Sequence, residues 1–359
     1  MSVRIALPQA LFGEHEQSIC ESGEFSVSAF RYASGVAALR LKNARGEITV
    51  LPYQGQQVWR AEFDGRELTM RSMFDEPVET RAYLETYGGF LIHCGITGLG
   101  APGETDSHPL HGELPNAPMR DAWLEIDPAN ESLTVVSTYQ YTVAFSTNYR
   151  ATVSTSLAAG SALINASVAV ENLKQTPMDL MYLGHANFRP VDYGELHYTA
   201  EYDAASVRVR QSIPSHITPK PGYADFLAQL AEDPTPHHVF DPALAFDPEV
   251  VVEIDMKADA DGKAHALQKH PEGFADYISY RPEVAPVGMR WICRTPDQDG
   301  LGVAFPATSG VEGYTTEKAK GRVFELAGGD TWTIDMQVGH LTATETADMI
   351  DQIETIRRS

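Results

Sequence analysis

The sequence predicts an all-β fold built mainly of antiparallel strands. From Ser132 onward, apolar and polar residues alternate in short segments that turn residues separate. The segment ALINASVAVEN at 162–172 places its apolar side chains on one face and Asn165, Ser167 and Glu171 on the other, which is typical of a half-buried strand. The preceding segment TNYRATVSTSL, followed by a turn at Gly160, predicts the partner strand of a hairpin.

Other elements follow from the same patterns. Further strands are expected, in chain order, at 47–53, 57–63, 122–126, 133–145, 178–183, 250–256, 288–294, 302–305 and 331–338. Apolar residues at helical spacing predict a helix at 223–233 and a terminal helix at 342–358. Proline-rich loops are expected at 214–221 and 234–248, because the residue before a proline disfavours helix. No internal repeat or low-complexity linker divides the chain, so we expect one domain over residues 1–359.

Composition limits the classes of partner. The chain has 359 residues, of which 43% are hydrophobic, enough for a substantial core. Its 49 acidic and 27 basic side chains give a formal charge of −22, which repels nucleic-acid phosphates and anionic lipids. No run approaches the ~20 apolar residues of a membrane span. A small neutral molecule is therefore the expected partner, and a homo-oligomer is compatible with the sequence.

The cysteines and the amino-terminal residues favour a cytoplasmic protein. Cys20, Cys94 and Cys293 are odd in number and lack metal-ligand spacing, so we expect reduced thiols. No signal peptide is expected, because no adequate apolar run follows Arg4 before Glu14. The chain shows no G-x-S-x-G motif, no glycine-rich phosphate loop and no paired CxxC motif.

The first candidate site is the stretch HPLHGELPNAP at 108–118. Its three prolines fix φ, and Gly112 permits a positive φ or a close approach to a ligand. Two interpretations stay open: a rigid polar binding loop, or a surface turn whose histidines cap strands. Metal binding by His108, His111 and Glu113 is a further alternative, since imidazole and carboxylate suit zinc, although the H-x-x-H-x-E spacing matches no common motif.

The second candidate site is MYLGHANFRP at 181–190. His185, Asn187 and Arg189 share one parity where a predicted strand ends, so their side chains are expected to face one way. The alternative is a core histidine bonded to a backbone carbonyl. Another pair, His237 and His238, lies in a proline-rich loop, where we expect solvated side chains.

At these two motifs the sequence resembles the aldose 1-epimerase (galactose mutarotase-like) superfamily, especially its uncharacterised branch of unknown function. That superfamily carries a histidine in an L-H-G context, then a T-P step, an apolar strand and a second histidine in an H-x-x-F context. Here PLHG contains His111 and TPMDLMYLGHANF contains His185. The resemblance also includes LPYQGQQVWRAEFDGREL, GGFLIHCG and GLGVAFPATSG, and so covers residues 49–341.

The resemblance implies a galactose mutarotase-like β-supersandwich that binds a free sugar on a concave face and needs no cofactor. In mutarotation the C1 hydroxyl loses a proton while the ring oxygen gains one, so the ring opens and closes again on the other face. By resemblance, His185 would protonate the ring oxygen, and His111 would hydrogen-bond the sugar and assist the transfer. Imidazole suits such proton transfers near neutral pH.

The carboxylate base is absent from its expected position. The family places a glutamate near a proline on a late strand, where this chain has Phe305 and Pro306. We therefore expect a displaced base, Glu312 first, with Glu317 and Glu113 as alternatives.

Additional side chains are expected to bind the substrate. The family uses an arginine before its glycine-rich strand, and Arg81 in VETRAYLETYGG resembles it. The predicted substrate-binding set is Arg81, Glu113, Asn116, Asn187 and Arg189. Trp59 and Tyr87 are candidates for stacking on the apolar face of a sugar, although aromatic residues in strands more often belong to the core.

Three functions follow from these observations. The principal hypothesis is an aldose 1-epimerase-like isomerase acting on a free sugar. The second is a non-catalytic carbohydrate-binding or sensing protein on the same fold, because the glutamate is missing. The third is a metal-assisted hydrolase that uses His108, His111 and Glu113.

Overall fold

Two antiparallel sheets make up most of the computed structural model, which describes residues 2–214, 217–244 and 246–359. The first sheet contains nine strands. In spatial order they are β1 (Val3–Ala6), β9 (Asp121–Asp127), β10 (Ser132–Val143), β11 (Thr147–Ala158), β12 (Leu163–Asn172), β22 (Thr331–Leu341), β18 (Ala275–Tyr280), β17 (Ala264–Lys269) and β14 (Glu195–Tyr198).

The second sheet contains thirteen strands. In spatial order they are β15 (Val207–Val209), β16 (Val250–Ile254), β19 (Val287–Arg294), β20 (Asp299–Ala307), β13 (Met178–Ala186), β8 (Leu91–Ile96), β6 (Gln57–Phe63), β5 (Gly46–Leu51), β4 (Ala37–Asn43), β3 (Phe25–Arg31) and β2 (Gln17–Ser22). Two short strands extend it, β21 (Phe324–Leu326) beside β13 and β7 (Arg66–Glu67) beside β6.

Within the described residues, three α-helices and three 3-10 turns form in the segments that connect or follow the strands. The helices are α1 (Tyr223–Glu232), α2 (Tyr314–Ala319) and α3 (Ala343–Arg358), and single 3-10 turns form at Gln9–Leu11, Tyr83–Glu85 and Thr235–His238. The amino terminus of α3 carries a capping box, in which Thr342 and Glu345 each bond the backbone N–H of the other. Ile353 of α3 is fully buried in a small apolar cluster with Leu267 and Tyr277, and this contact holds the helix on the first sheet.

The predicted fold class is confirmed, and both predicted helices form as α1 and α3. The hairpin partner is β11, and its register pairs Leu157 with Ile164 and Val153 with Val168. Alternate residues of β12 are buried, as its pattern predicts. Residues 215, 216 and 245 of the two predicted proline-rich loops lie outside the described part of the chain.

The main apolar core contains side chains from both sheets. Val168 of the first sheet and Val252 of the second are both fully buried in this cluster. Within β16, Val250, Val252 and Ile254 are fully buried, whereas Val251 between them is partly exposed. Because side chains alternate across a strand, Val251 lies on the face of the second sheet that is turned away from the core.

That outer face carries the candidate site. Strands β16, β19, β20 and β13 are consecutive neighbours in the second sheet. Val251 of β16 pairs with Trp291 of β19, so the two side chains share the outer face. Among the residues described, no helix combines the length and the apolar character needed to cross a membrane.

Candidate functional site

A cavity of about 430 Å³ lies on this outer face. Its floor comes from the four neighbouring strands and consists of Val251, Met289, Trp291, Cys293, Phe305, Leu183 and His185. Loops add His111, Tyr83, Tyr87, Glu249 and Arg210 to the wall. Small-molecule sites typically enclose about 300–1,000 Å³, so the cavity has the size of a site for one small ligand.

The two predicted histidines meet in this cavity. His185 is the penultimate residue of β13, and His111 lies in the loop that follows β8. Their ring centroids are 5.8 Å apart and the rings are nearly perpendicular. His111 also lies against Tyr83, with ring centroids 4.8 Å apart. The structure therefore brings together two imidazoles that are far apart in sequence.

The backbone around His111 is tightly constrained. His111 has a positive φ of 58°, which is uncommon for a residue other than glycine. Its N–H donates to the Gly100 carbonyl at 3.0 Å, and its carbonyl accepts from the Gly95 N–H at 2.9 Å. A Cβ on Gly112 would lie 2.3 Å from the Gly95 carbonyl oxygen, so only glycine fits there. These contacts fix the loop against the end of β8.

A network of hydrogen bonds fixes the tautomer of His185. The Asn187 amide nitrogen donates to the Gly89 carbonyl at 2.9 Å, which turns the amide oxygen toward His185. That oxygen accepts from His185 Nδ1 at 2.5 Å, so the proton of the neutral ring is on Nδ1. His185 Nε2 then carries the lone pair, and its neighbour is the Tyr87 hydroxyl at 3.5 Å.

Burial keeps His185 neutral. Only 5% of the residue is exposed, and desolvation lowers the pKa of its imidazole to about 3, although the bond to Asn187 acts in the opposite direction. Three aromatic rings surround it, with centroid distances of 4.0 Å to Phe305, 5.6 Å to Tyr87 and 5.6 Å to Trp291. At neutral pH, His185 is therefore unprotonated at Nε2 and can accept a proton there.

Glu249 supplies a carboxylate to the same cavity, and the sequence reasoning missed it. One of its carboxylate oxygens accepts the indole N–H of Trp291 at 2.8 Å. The other lies 4.0 Å from the Arg210 guanidinium. Glu249 has the same parity as Val251, so it lies on the cavity face just before β16 begins. Trp291 thus contacts His185 with its ring and Glu249 with its N–H.

Glu312, the predicted base, lies outside the cavity wall. Its carboxylate is 2.7 Å from Arg210 Nε and accepts the Ser212 hydroxyl at 2.8 and 2.9 Å. The neighbouring Val311 lines the cavity instead. The Glu312 carboxylate is therefore directed at Arg210, and its role as the base stays a prediction.

The alternative base candidates are also buried elsewhere. Glu317 is fully buried, accepts the Gly310 N–H at 3.0 Å and pairs with Lys320 at 2.9 Å. The Glu113 carboxylate accepts the Tyr149 hydroxyl at 2.7 Å and the Thr97 hydroxyl at 2.8 Å. Neither residue lines the cavity.

Two of the predicted substrate-binding residues hold the 108–118 loop. The Arg81 guanidinium donates to the carbonyls of Glu113 and Asn116. The Asn116 side chain donates to the Ala82 carbonyl at 3.3 Å and accepts from Gln57 at 2.8 Å. Neither Arg81 nor Asn116 lines the cavity, and both hold the loop; their contact with a substrate stays a prediction.

The remaining predicted residues separate into two groups. Asn187 acts on the cavity through His185, as described, and Tyr87 lines the cavity directly. Arg189 is exposed and lies outside the wall, and Trp59 is buried in a separate apolar cluster. The strand end at 185–189 therefore does not present all three of its polar side chains to one site.

The metal hypothesis finds no support among the described residues, which contain no group of three histidine, cysteine or acidic side chains placed to hold a metal. His108 instead donates to the Pro109 carbonyl at 2.8 Å and accepts the Tyr314 N–H at 3.3 Å.

The expectation of a solvated His237 is wrong. Only 1% of the residue is exposed, and its Nε2 accepts from Arg290 Nη1 at 2.7 Å. His238 is half-buried against the Tyr198 hydroxyl at 2.6 Å. Arg290 pairs with Val252 in the sheet register, so the guanidinium lies on the core side and needs an internal acceptor.

Comparison with known proteins places the chain in a family. A family model described as a domain of unknown function (DUF4432) matches residues 33–339. No curated protein sequence matches the chain. Among solved structures, a Klebsiella pneumoniae protein named "putative aldose 1-epimerase" has a TM-score of 0.82 at 18% identity, covering 99% of this chain and 96% of its own.

Two more distant structures share the fold. A galactose mutarotase-like protein from Clostridium acetobutylicum has a TM-score of 0.59 at 12% identity, covering 88% of this chain and 98% of its own. A galactose mutarotase-like protein from Lactobacillus casei has a TM-score of 0.52 at 13% identity, covering 84% and 99%. At these identities the likeness establishes the fold alone. The chain belongs to the DUF4432 family and has the galactose mutarotase-like fold.

Proposed function

We propose that the protein binds a free monosaccharide in this cavity and interconverts its anomers. The observation that carries the proposal is the meeting of His111 and His185, 5.8 Å apart, in a cavity of about 430 Å³ with an aromatic wall. Aromatic rings pack against the C–H face of a sugar, while imidazole nitrogens meet its hydroxyls. The names of the structural relatives support the same class of reaction.

The proposed reaction moves one proton from the C1 hydroxyl to the ring oxygen. Neutral His185 takes the hydroxyl proton through Nε2 and delivers it to the ring oxygen as the bond between C1 and that oxygen breaks. The product is the open-chain aldehyde, which closes again from its other face by the reverse transfer. Both oxygens are attached to C1, so a single imidazole can reach them in turn.

Two neighbours stabilise the imidazolium that forms in this transfer. The Asn187 amide oxygen accepts a hydrogen bond from the Nδ1–H of His185 and so keeps Nε2 directed at the substrate. Glu249 places a carboxylate at the same cavity, beyond the Trp291 ring, and a nearby negative charge favours the protonated histidine. In this scheme the acid form of His185 arises during the reaction, in place of the resting acid that the family resemblance implies.

The test is anomer exchange measured by NMR with a panel of free sugars. His185→Gln should lower the rate by about 10²–10⁴-fold, the usual contribution of general acid and base catalysis. Glu249→Gln retains an acceptor for Trp291 but removes the negative charge, and should lower the rate by less than His185→Gln does. Exchange at the wild-type rate by His185→Gln would contradict the mechanism.

Glu253→Gln is the matched control. Glu253 lies on the same strand and the same outer face as Val251, but it pairs with Arg322 at 2.9 and 3.0 Å and does not line the cavity. Its substitution should leave anomer exchange unchanged. A loss equal to that of Glu249→Gln would show that any carboxylate on this strand matters only through general electrostatics.

A sugar-binding protein without catalysis is the second candidate. Phe305 packs 4.0 Å from His185 at the position where the family resemblance expects a glutamate. A cavity that recognises a sugar through hydrogen bonds and stacking needs no base there. This function would be favoured if the wild-type protein binds sugars but does not accelerate the exchange of any sugar it binds.

A further inference from the structure

The floor of the cavity is apolar over most of its area. The residues of the four floor strands that line the cavity are Val251, Met289, Trp291, Cys293, Phe305 and Leu183, with His185 and Arg290 as the polar ones. The register with Val252 places the Arg290 guanidinium on the core side. Aromatic rings suit the C–H face of any sugar. The aliphatic side chains offer no hydrogen bond to a hydroxyl and the sulfur-containing ones only a weak one, so burial of a hydroxyl against them is unfavourable.

The mouth of the cavity is apolar as well. Met73 and Leu84 both line it, and they are 70% and 48% exposed. Large apolar side chains that stay exposed beside a cavity favour contact with an apolar group of the ligand. Methionine is unbranched and adaptable, so it can pack against substituents of more than one shape.

Apart from Thr295, Asp297 and Gln298, which lie in the loop after β19, the polar side chains of the cavity form two groups. One is the pair His111 and His185, and the other is Glu249 with Arg210, which lie 4.0 Å apart. A sugar with hydroxyls all round would satisfy these groups but would also place hydroxyls against the aliphatic surface. A sugar with one apolar substituent fits both kinds of wall.

We infer that the preferred ligand is a neutral reducing sugar that carries an apolar substituent away from C1, such as a 6-deoxy or an O-alkyl sugar. This inference rests on the proposed function, because it assigns the same cavity to a sugar. Removing a hydroxyl or adding a methyl group places hydrocarbon against the floor. One buried methyl or methylene group contributes about 0.8 kcal/mol, which corresponds to about fourfold in affinity.

The experiment compares matched sugar pairs. The probes are D-galactose with D-fucose, D-glucose with 6-deoxy-D-glucose, and D-glucose with 3-O-methyl-D-glucose. Dissociation constants are measured by calorimetry and anomer exchange by NMR. At least one apolar partner should bind four- to tenfold more tightly than its parent sugar. If every parent sugar binds as tightly as its apolar partner, the inference is wrong.

Variants at the mouth locate the effect. Met73→Gln and Leu84→Asn should reduce the ratio of the affinity for the apolar partner to the affinity for the parent sugar. Both side chains are largely exposed, so the fold should tolerate these changes. Phe324→Gln is the control, because Phe324 is an exposed apolar residue, 44% accessible, that does not line the cavity. An unchanged preference in both mouth variants would contradict the proposed contact.

The outcomes separate the two proposals. If the wild-type protein exchanges anomers but prefers the parent sugars, the substrate inference fails and the proposed function stands. If it binds the apolar partners more tightly without exchanging them, the inference stands and the catalytic proposal fails. If it binds none of the sugars, both are overturned.

Discussion

The neutral state of His185 makes the stability of the protein depend on pH. In the folded protein, burial lowers the pKa of this imidazole to about 3, whereas an exposed histidine in the unfolded chain titrates near 6.5. Above pH 6.5 both states are neutral at this residue. As the pH falls from 6.5 toward 3, the unfolded chain takes up a proton that the folded protein excludes, so the folded state loses stability.

The size of the effect follows from the two pKa values. From pH 6.5 down to pH 4, over about 2.5 pH units, the unfolded chain binds the proton and the folded protein does not. At ~1.4 kcal/mol per unit, the free energy of unfolding falls by about 3 kcal/mol. His185→Gln removes this contribution and keeps a side chain that can donate to Asn187. We therefore expect the free energy of unfolding of the variant, relative to wild type, to rise by about 3 kcal/mol between pH 7 and pH 4.

Urea denaturation at pH 7, 6, 5 and 4 measures this difference. Other buried histidines, such as His93 with a pKa lowered to about 4, also destabilise the protein in acid. They contribute equally to both proteins and cancel in the comparison. If the difference between variant and wild type stays constant within ~0.5 kcal/mol from pH 7 to pH 4, His185 is not a buried neutral imidazole, and the argument for its role as proton acceptor fails.

Three further substitutions test contacts that hold the core, the 108–118 loop and the start of α3. Arg290→Ala leaves the Val303 carbonyl and His237 without their buried donor and should cost about 3 kcal/mol or more in urea denaturation, whereas Arg150→Ala, at an exposed ion pair, should cost less than ~1 kcal/mol. Arg81→Ala removes two bonds to the loop carbonyls and should raise amide hydrogen exchange in the 108–118 loop, with unchanged exchange in the loop contradicting its positioning role. Thr342→Ala removes the cap of α3 and should lower the free energy of unfolding by about 1 kcal/mol, and Thr342→Ser should restore most of it.

Some of the predicted strands have one buried and one exposed face, whereas β20, which the sequence also predicts, is buried at every position after its first. In β12 the two faces differ clearly, so alternation alone identifies it. Strands β17 and β18 lack this pattern, because β18 is buried at every position and β17 at all but the last. The sequences of β17 and β18 mix apolar and polar residues without a period of two. A strand that is covered on both faces need not alternate, so this pattern does not identify it.

The site could be predicted in part. The motifs around His111 and His185 identify both imidazoles, because each carries a recognisable local context. Glu249 has no such context, since it follows Pro248 in a segment that reads as a proline-rich loop. Its parity with Val251 in the predicted strand 250–256 was a usable signal, but the sequence alone does not show which face of that strand borders the cavity.

Phe305 stands where the family resemblance expects the base, whereas the carboxylate that lines this cavity belongs to Glu249 in another segment. The order of the motifs assigns the base glutamate to β20. At that position this chain has Phe305, whose ring centroid lies 4.0 Å from that of His185. The Glu249 carboxylate comes from the segment before β16, which lies two strands away from β20. It accepts the indole N–H of Trp291, and the Trp291 ring lies between it and His185. Neighbouring strands present alternate side chains to one common face, so a sheet can receive the same chemical group from different strands. A phenylalanine beside His185 also contributes to its burial, and burial lowers the pKa of the imidazole and keeps the ring neutral. The placement of these two residues therefore determines both where the negative charge lies and which protonation state the histidine adopts before a ligand binds.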